Sequence, residues 1–329
     1  MNNSRIIWID WAKAIGIMIV VFCHVPQYDT LENRFLHLMQ MPLFFMLSGY
    51  LHKVPESLFI SFKKYWKTLL IPYGLFQLIF IPYFLIREKF DGIYLADIFH
   101  SIVVPFFKCF IGTPLDGPTW FIYALFIMKI FADITIKRKH KNAYILFLCG
   151  LSIYFSCLFN SDSITNISFT IDSLFDFLPF FFMGYYLKRS QCFIDTTRCN
   201  ISKNLFFSFS FLLTSLIILT YSQNSYVYER LIFYIVGIFG SFFIIFLCKC
   251  FTNKSVIEMI SSGTIVILGM HWMFIGALNV IFEKVLLVSH GILYTTIQAV
   301  LIVCFITFIN YYIIAFCKRH FVIILGGRI

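Results

Sequence analysis

Between Ile6 and Phe316 the chain repeats one pattern ten times: a mostly apolar stretch of about 15 to 26 residues, then a short polar gap. A helix crossing a bilayer needs about 20 mostly apolar residues, with a usual range of roughly 17 to 25. The stretches run over 6–25, 35–51, 68–86, 119–136, 143–159, 173–187, 204–221, 231–248, 263–282 and 291–316. Composition agrees: 60% hydrophobic and only 13% charged residues, with a mean hydropathy of +0.85, leave too little charge to cover a water-soluble globule. With 43 Phe and 18 Tyr against 16 Gly and 9 Pro, the apolar mass is bulky and compatible with helix rather than low in complexity. The expected fold is all-α, a polytopic transmembrane helical bundle of about ten spans. The stretch 97–112, short and carrying His100, Pro105 and Lys108, reads as interfacial or re-entrant.

Charge tests the count. With the N-terminus placed in the cytoplasm, the inward gaps hold three times as many Lys and Arg as the outward ones, and the C-terminus is cytoplasmic too. An undetected further span would reverse every later loop and erase that bias. No gap is long enough for a soluble domain, so residues 1–329 read as one integral-membrane domain, retained at its N-terminus because Asp10 and Lys13 break the first apolar run. The net charge of +10 is scattered over separate loops and forms no contiguous groove, which argues against a nucleic-acid partner. The 10 Cys and 8 His lack metal-ligand spacing, so no metal site is expected and the cysteines read as reduced packing residues.

Ionisable residues inside a span are costly, a few kcal/mol each at the bilayer centre on insertion scales. The first span holds three: Asp10, Lys13 and His24. Lys13 and His24 are eleven residues apart, three turns plus about 20°, so they share one stripe about 16 Å long. Asp10, three residues before Lys13, can pair with it on that face. Two readings stand: the charged groups snorkel to the two interfaces, or they form a polar track through the membrane. The cluster Lys63, Lys64 and Lys67 at the mouth of the third span suits a phosphate-bearing ligand, and equally an anchor on anionic membrane lipids. Ser48 and Gly49 permit close helix approach, and a lone His271 in the ninth span reads as an interhelical hydrogen-bonder.

Taken together, these segments resemble the family-3 membrane acyltransferases, the group that includes bacterial O-acetyltransferases of surface polysaccharides, and within it the fucose 4-O-acetylase-like branch. The most specific element is the run from Ile9 to His24, which looks like the family's basic residue, ten intervening residues and histidine. Supporting matches, in order along the chain, are Met41 to Tyr50, Pro118 to Phe121, Leu178 to Tyr185 and Gly263 to His271. The resemblance implies acetyl-CoA, or a related short acyl donor, drawn from the cytosol, and a hydroxyl of a cell-surface or lipid-linked saccharide as acceptor. It implies residence in the bacterial inner (cytoplasmic) membrane.

Under that resemblance His24 is the general base, an imidazole suited to take a hydroxyl proton near neutrality. Asp10 joins it as a catalytic-site residue that orients Lys13. Lys13, Lys64 and Lys67 hold the coenzyme phosphates, and Trp120, Ser48, Tyr50 and His271 face the acyl path or acceptor. The family often carries two arginines three apart where this chain has Lys64 and Lys67, so charge is kept but the bidentate fork is not. The competing reading is a transporter or flippase of a glycan or lipid precursor, with the same polar track as its path.

Overall fold

The computed structural model describes residues 5–54, 56–90, 108, 114–158, 169–190, 200–220, 226–252, 254–284 and 293–327. The stretch 97–112, Lys108 apart, lies outside them. The described chain is helical: α1 (Ile7–His24), α2 (Leu31–Tyr50), α3 (Leu58–Tyr65), α4 (Ile71–Phe90), α5 (Trp120–Ile136), α6 (Lys141–Leu158), α7 (Phe169–Leu187), α8 (Ile201–Thr220), α9 (Tyr226–Cys248), α10 (Ser255–Ser262), α11 (Thr264–Lys284) and α12 (Thr296–His320). Among the described residues the sole β pairing is one bridge between Gln27 and Tyr294.

Each of the ten expected segments falls on a helix. Seven helical stretches are long and apolar enough to cross a membrane, and Lys141–Cys157 and Ser173–Leu187 are shorter apolar helices. The remaining one, α2, is made less hydropathic by Glu32, Arg34, His37 and Gln40, and it sits inside the bundle against α1, α7 and α9. This is a polytopic membrane bundle. Its surface is apolar where a soluble protein's would be polar: Leu146 and Ile297 are each 76% exposed, as lipid-facing side chains should be.

Small residues set the tightest crossing. A Cβ on Gly49 of α2 would collide with the Phe181 carbonyl of α7, and one on Gly184 of α7 with the Met46 carbonyl of α2. Lipid tails are as apolar as the helices, so close backbone packing supplies the association that hydrophobicity cannot. Beside this crossing Phe45 stacks on Phe177 with centroids 4.8 Å apart.

Two irregular segments shape one end of the bundle. A π-helical turn, Trp66–Leu70, joins α3 to α4. After α12 a 3₁₀ turn, Val322–Leu325, folds back against α4 and buries Leu325. It ends on Gly326, whose left-handed φ of 66° and contact with the Thr68 carbonyl leave no room for a side chain.

Candidate functional site

The first helix carries its polar residues on a stripe. Lys13, Ile17, Val20 and His24 follow one another at spacings of four, three and four, which keeps them on one face. On α11, Thr264, Leu268 and His271 do the same at four and three. The two stripes face a common cavity of about 520 Å³, lined by Lys13, Ile17 and Val20 from α1 and by Thr264, Ile265 and Leu268 from α11. His24 and His271 continue these stripes one turn beyond the last lining residues, Val20 and Leu268. There the imidazoles meet edge to face, with ring centroids 4.9 Å apart and planes at 72°.

Both rings are held in the same tautomer. His24 Nδ1 lies 2.7 Å from the Val20 carbonyl and His271 Nδ1 lies 2.9 Å from that of Ile267. A carbonyl only accepts, so Nδ1 is the donor in each, and the lone pair of the neutral ring sits on Nε2. His271 is fully buried, and its Nε2 has no hydrogen-bond partner among the described residues.

At its other end the cavity is cationic. Lys13, Lys53, Lys64 and Lys129 line it, and no Asp or Glu is among the described lining residues. The nearby Asp133 is engaged by His52, whose Nε2 lies 2.9 Å from Oδ1, both side chains being almost wholly buried. Burial holds His52 below the ordinary imidazole pKa; Asp133 opposes that shift, and the charges of Lys129 and Lys64 add to it. Four lysines around one pocket, with no carboxylate among its described lining residues, make a site for a polyanion.

The expected site residues separate. Lys13 and Lys64 line the cavity, as does Ser48, whereas Lys67 is exposed and does not. The π-helical turn begins between the two lysines. Asp10 is occupied elsewhere: its carboxylate accepts from Arg5 Nε and from Ser261 Oγ, each at 2.5 Å, tying the start of α1 to α10. It is fourteen residues from His24, about 21 Å along the axis. Tyr50 packs edge-on against Trp8 at 5.2 Å, and Trp120 joins the aromatic core with its ring 5.7 Å from Phe177; neither lines the cavity.

Other residues of the cavity gave weaker signals. Lys129 is an intramembrane lysine, which its cost alone marks as unusual. It sits 5.6 Å over the Tyr65 ring. Lys53, the His52–Asp133 pair and Gly326 reach the site only through the packing of α2, α5 and the C-terminal turn. Asp116, just before α5, is fully buried, neither carboxylate oxygen has a hydrogen-bond partner among the described residues, and burial pushes its pKa well above the usual carboxylate range. Its neighbour Gly117 lies against the Trp272 ring, next in sequence to His271.

Compared with known protein families, residues 6–316 match a model described as an acyltransferase domain. Neither the curated proteins nor the solved structures give a match.

Proposed function

Because the chain belongs to the acyltransferase 3 family, and is therefore a membrane-embedded enzyme that moves an acyl group to an acceptor, we propose that it transfers acetyl, or a related short acyl group, from acetyl-CoA to a saccharide hydroxyl. The observation that carries this reading is the paired imidazoles standing one turn past the apolar end of a cavity whose other end carries four lysines and, among the described lining residues, no carboxylate. The cations suit the phosphates of the coenzyme, and the apolar walls toward Val20 and Leu268 suit a pantetheine arm reaching inward.

The basic end of the bundle then faces the cytoplasm, where the donor is, in a bacterial inner membrane. Lys13 and Lys64, joined by Lys53 and Lys129, hold the phosphates. Thioester and hydroxyl meet at His24. Its Nε2 takes the hydroxyl proton as the oxygen attacks the thioester carbonyl, a C–O bond forms, the C–S bond breaks, and the imidazolium returns the proton to the departing thiolate. Clamping Nδ1 to the Val20 carbonyl is what presents Nε2 as the base. The acyl group must pass about 5 Å, one turn, beyond the cavity's end. Met41 lines that end, and an unbranched thioether side chain yields readily.

Membranes containing the protein, given acetyl-CoA labelled in the acetyl group, should place label in saccharide and release free CoA. Label in protein or lipid alone would overturn the acceptor class. Absence of any transfer, with acetyl-CoA bound, would overturn the reaction.

A further inference from the structure

The mouth of the cationic cavity can be traced by exposure. Of the described lining residues four are exposed: Leu51, Lys53, Lys64 and Gly327. Two of these carry long ammonium-bearing side chains and one an isobutyl group, whereas the fourth presents bare backbone. Gly326, buried beside it, lines the wall behind. The rim is therefore unguarded on the glycine side.

Local chemistry and packing together hold the glycines there. At the end of α12 the Phe321 N–H donates to the Cys317 carbonyl at 2.9 Å, and the 3₁₀ turn that follows packs against α4, the π-helical turn and α11, pinned by the buried Leu325. Gly326 and Gly327 have φ of 66° and 70°. Their N–H groups close on the carbonyls of Ile323 at 3.0 Å and Val322 at 3.1 Å, the pair of bonds that ends a helix on a left-handed residue. The surroundings of the two differ. A Cβ on Gly326 would stand 2.4 Å from the Thr68 carbonyl, whereas one on Gly327 would meet nothing within 4 Å. Thr68 also lines the cavity, so the C-terminal turn and the π-helical turn form one continuous stretch of its wall.

A coenzyme whose pantetheine arm runs toward Val20 and Leu268 leaves its nucleotide at the mouth. There Lys53 and Lys64 meet its charge, and a wall without side chains lets a flat base or a phosphate approach the backbone closely. We propose that the C-terminal turn is part of the donor site and that the nucleotide end of an acyl-CoA lies across Gly326 and Gly327. The inference rests on the acyl-transfer reading and adds to it a pair of residues outside the 6–316 that match the acyltransferase domain. Gly326 answers to the Thr68 carbonyl. No described neighbour excludes a side chain at Gly327, and Asn or Asp tolerates its backbone conformation; what a side chain would obstruct there is the mouth.

The test compares Gly327→Asp with Gly327→Asn, side chains of nearly equal shape that differ in charge. The purified full chain in detergent is titrated with CoA, with adenosine 3′,5′-bisphosphate and with pantetheine, each read by displacement of radiolabelled CoA. Gly327→Asp should bind CoA and the bisphosphate about tenfold more weakly than Gly327→Asn, because a carboxylate then stands beside the phosphates. The two variants should bind pantetheine alike. Equal CoA affinities, or the same loss for pantetheine as for CoA, overturns the placement. In a second measurement Gly327→Cys is treated with a maleimide, and modification of the peptide bearing it is followed by mass spectrometry. CoA and the bisphosphate should protect it and pantetheine should not; a thiol that reacts equally with and without CoA refutes the proposal. If the unmodified protein binds no CoA, the donor of the acyl-transfer reading fails, whereas CoA binding with no difference between the Asp and Asn variants removes the role of the turn alone.

Discussion

His24 on α1 and His271 on α11 meet edge to face, 247 residues apart in sequence and 4.9 Å between ring centroids. Each ring spends its Nδ1 proton on the carbonyl four residues earlier, so two Nε2 lone pairs stand in one layer of the bundle. With its Nδ1 committed to the Ile267 carbonyl, His271 can act beside His24 only as an acceptor through Nε2 while its ring is neutral.

His24→Gln should reduce acyl transfer by about 10²–10⁴-fold, the usual contribution of a positioned base, with acetyl-CoA binding intact. The check is single-turnover transfer alongside equilibrium donor binding in the same detergent. A variant that transfers at the unmodified rate would remove His24 from the chemistry.

His271→Phe keeps a planar ring in the buried site and deletes the unpartnered Nε2. Transfer should fall at least tenfold, roughly 1.4 kcal/mol, while the melting temperature moves little, because an apolar ring suits that environment. The reverse pattern, lost stability with retained kcat, would make His271 a packing residue only.

Lys64 and Lys67 should part company. Lys64→Ala is expected to raise the apparent KM for acetyl-CoA about tenfold, since Lys64 lines the cavity, and Lys129→Met should act in the same direction. Lys67→Ala should change it less than twofold. Donor titrations of the three variants decide this, and equal effects at 64 and 67 would contradict the placing of Lys64, and not Lys67, on the cavity wall.

His52, buried and held below the ordinary imidazole pKa, takes up fewer protons in the folded state than in the unfolded chain, where it titrates near 6.5. Stability from this group is therefore lost as pH falls below about 6.5. Thermal denaturation of the unmodified protein against His52→Gln should show the unmodified protein losing ground between about pH 7 and pH 5.

Asp116 carries the opposite sign. Its raised pKa means the folded state holds the proton longer, so its contribution is present below the unfolded value near 3.9 and lost as pH rises. Asp116→Asn should thus gain stability relative to the unmodified protein as pH goes from about 4 to 8. A pH-independent difference between the two would mean that the carboxyl ionises in the folded state as it does in the unfolded chain.

The spans were readable because the information is local: ten apolar runs mark ten helices whatever their neighbours, and the spacing from Lys13 to His24 fixes one face of α1 by helical geometry alone. The intramembrane cost of Lys13 and His24 marked them as unusual on the same local grounds. Asp10 misleads for a physical reason. Helical spacing offers it Lys13, but the chain also supplies Arg5 and Ser261, and only the docking of α10 beside α1 brings Ser261 within 2.5 Å.

Local rules end where helices meet. That α11 would lay His271 beside His24, that Lys64 and not Lys67 would line the cavity, and that Lys129 and Lys53 would share it with Lys13 all depend on crossings such as Gly49 with Gly184. The sequence by itself determined a membrane bundle and one polar stripe within it, because periodicity and the cost of buried charge act within a single helix. Tertiary structure alone decided which stripes face each other, since that follows from packing among helices distant in the chain.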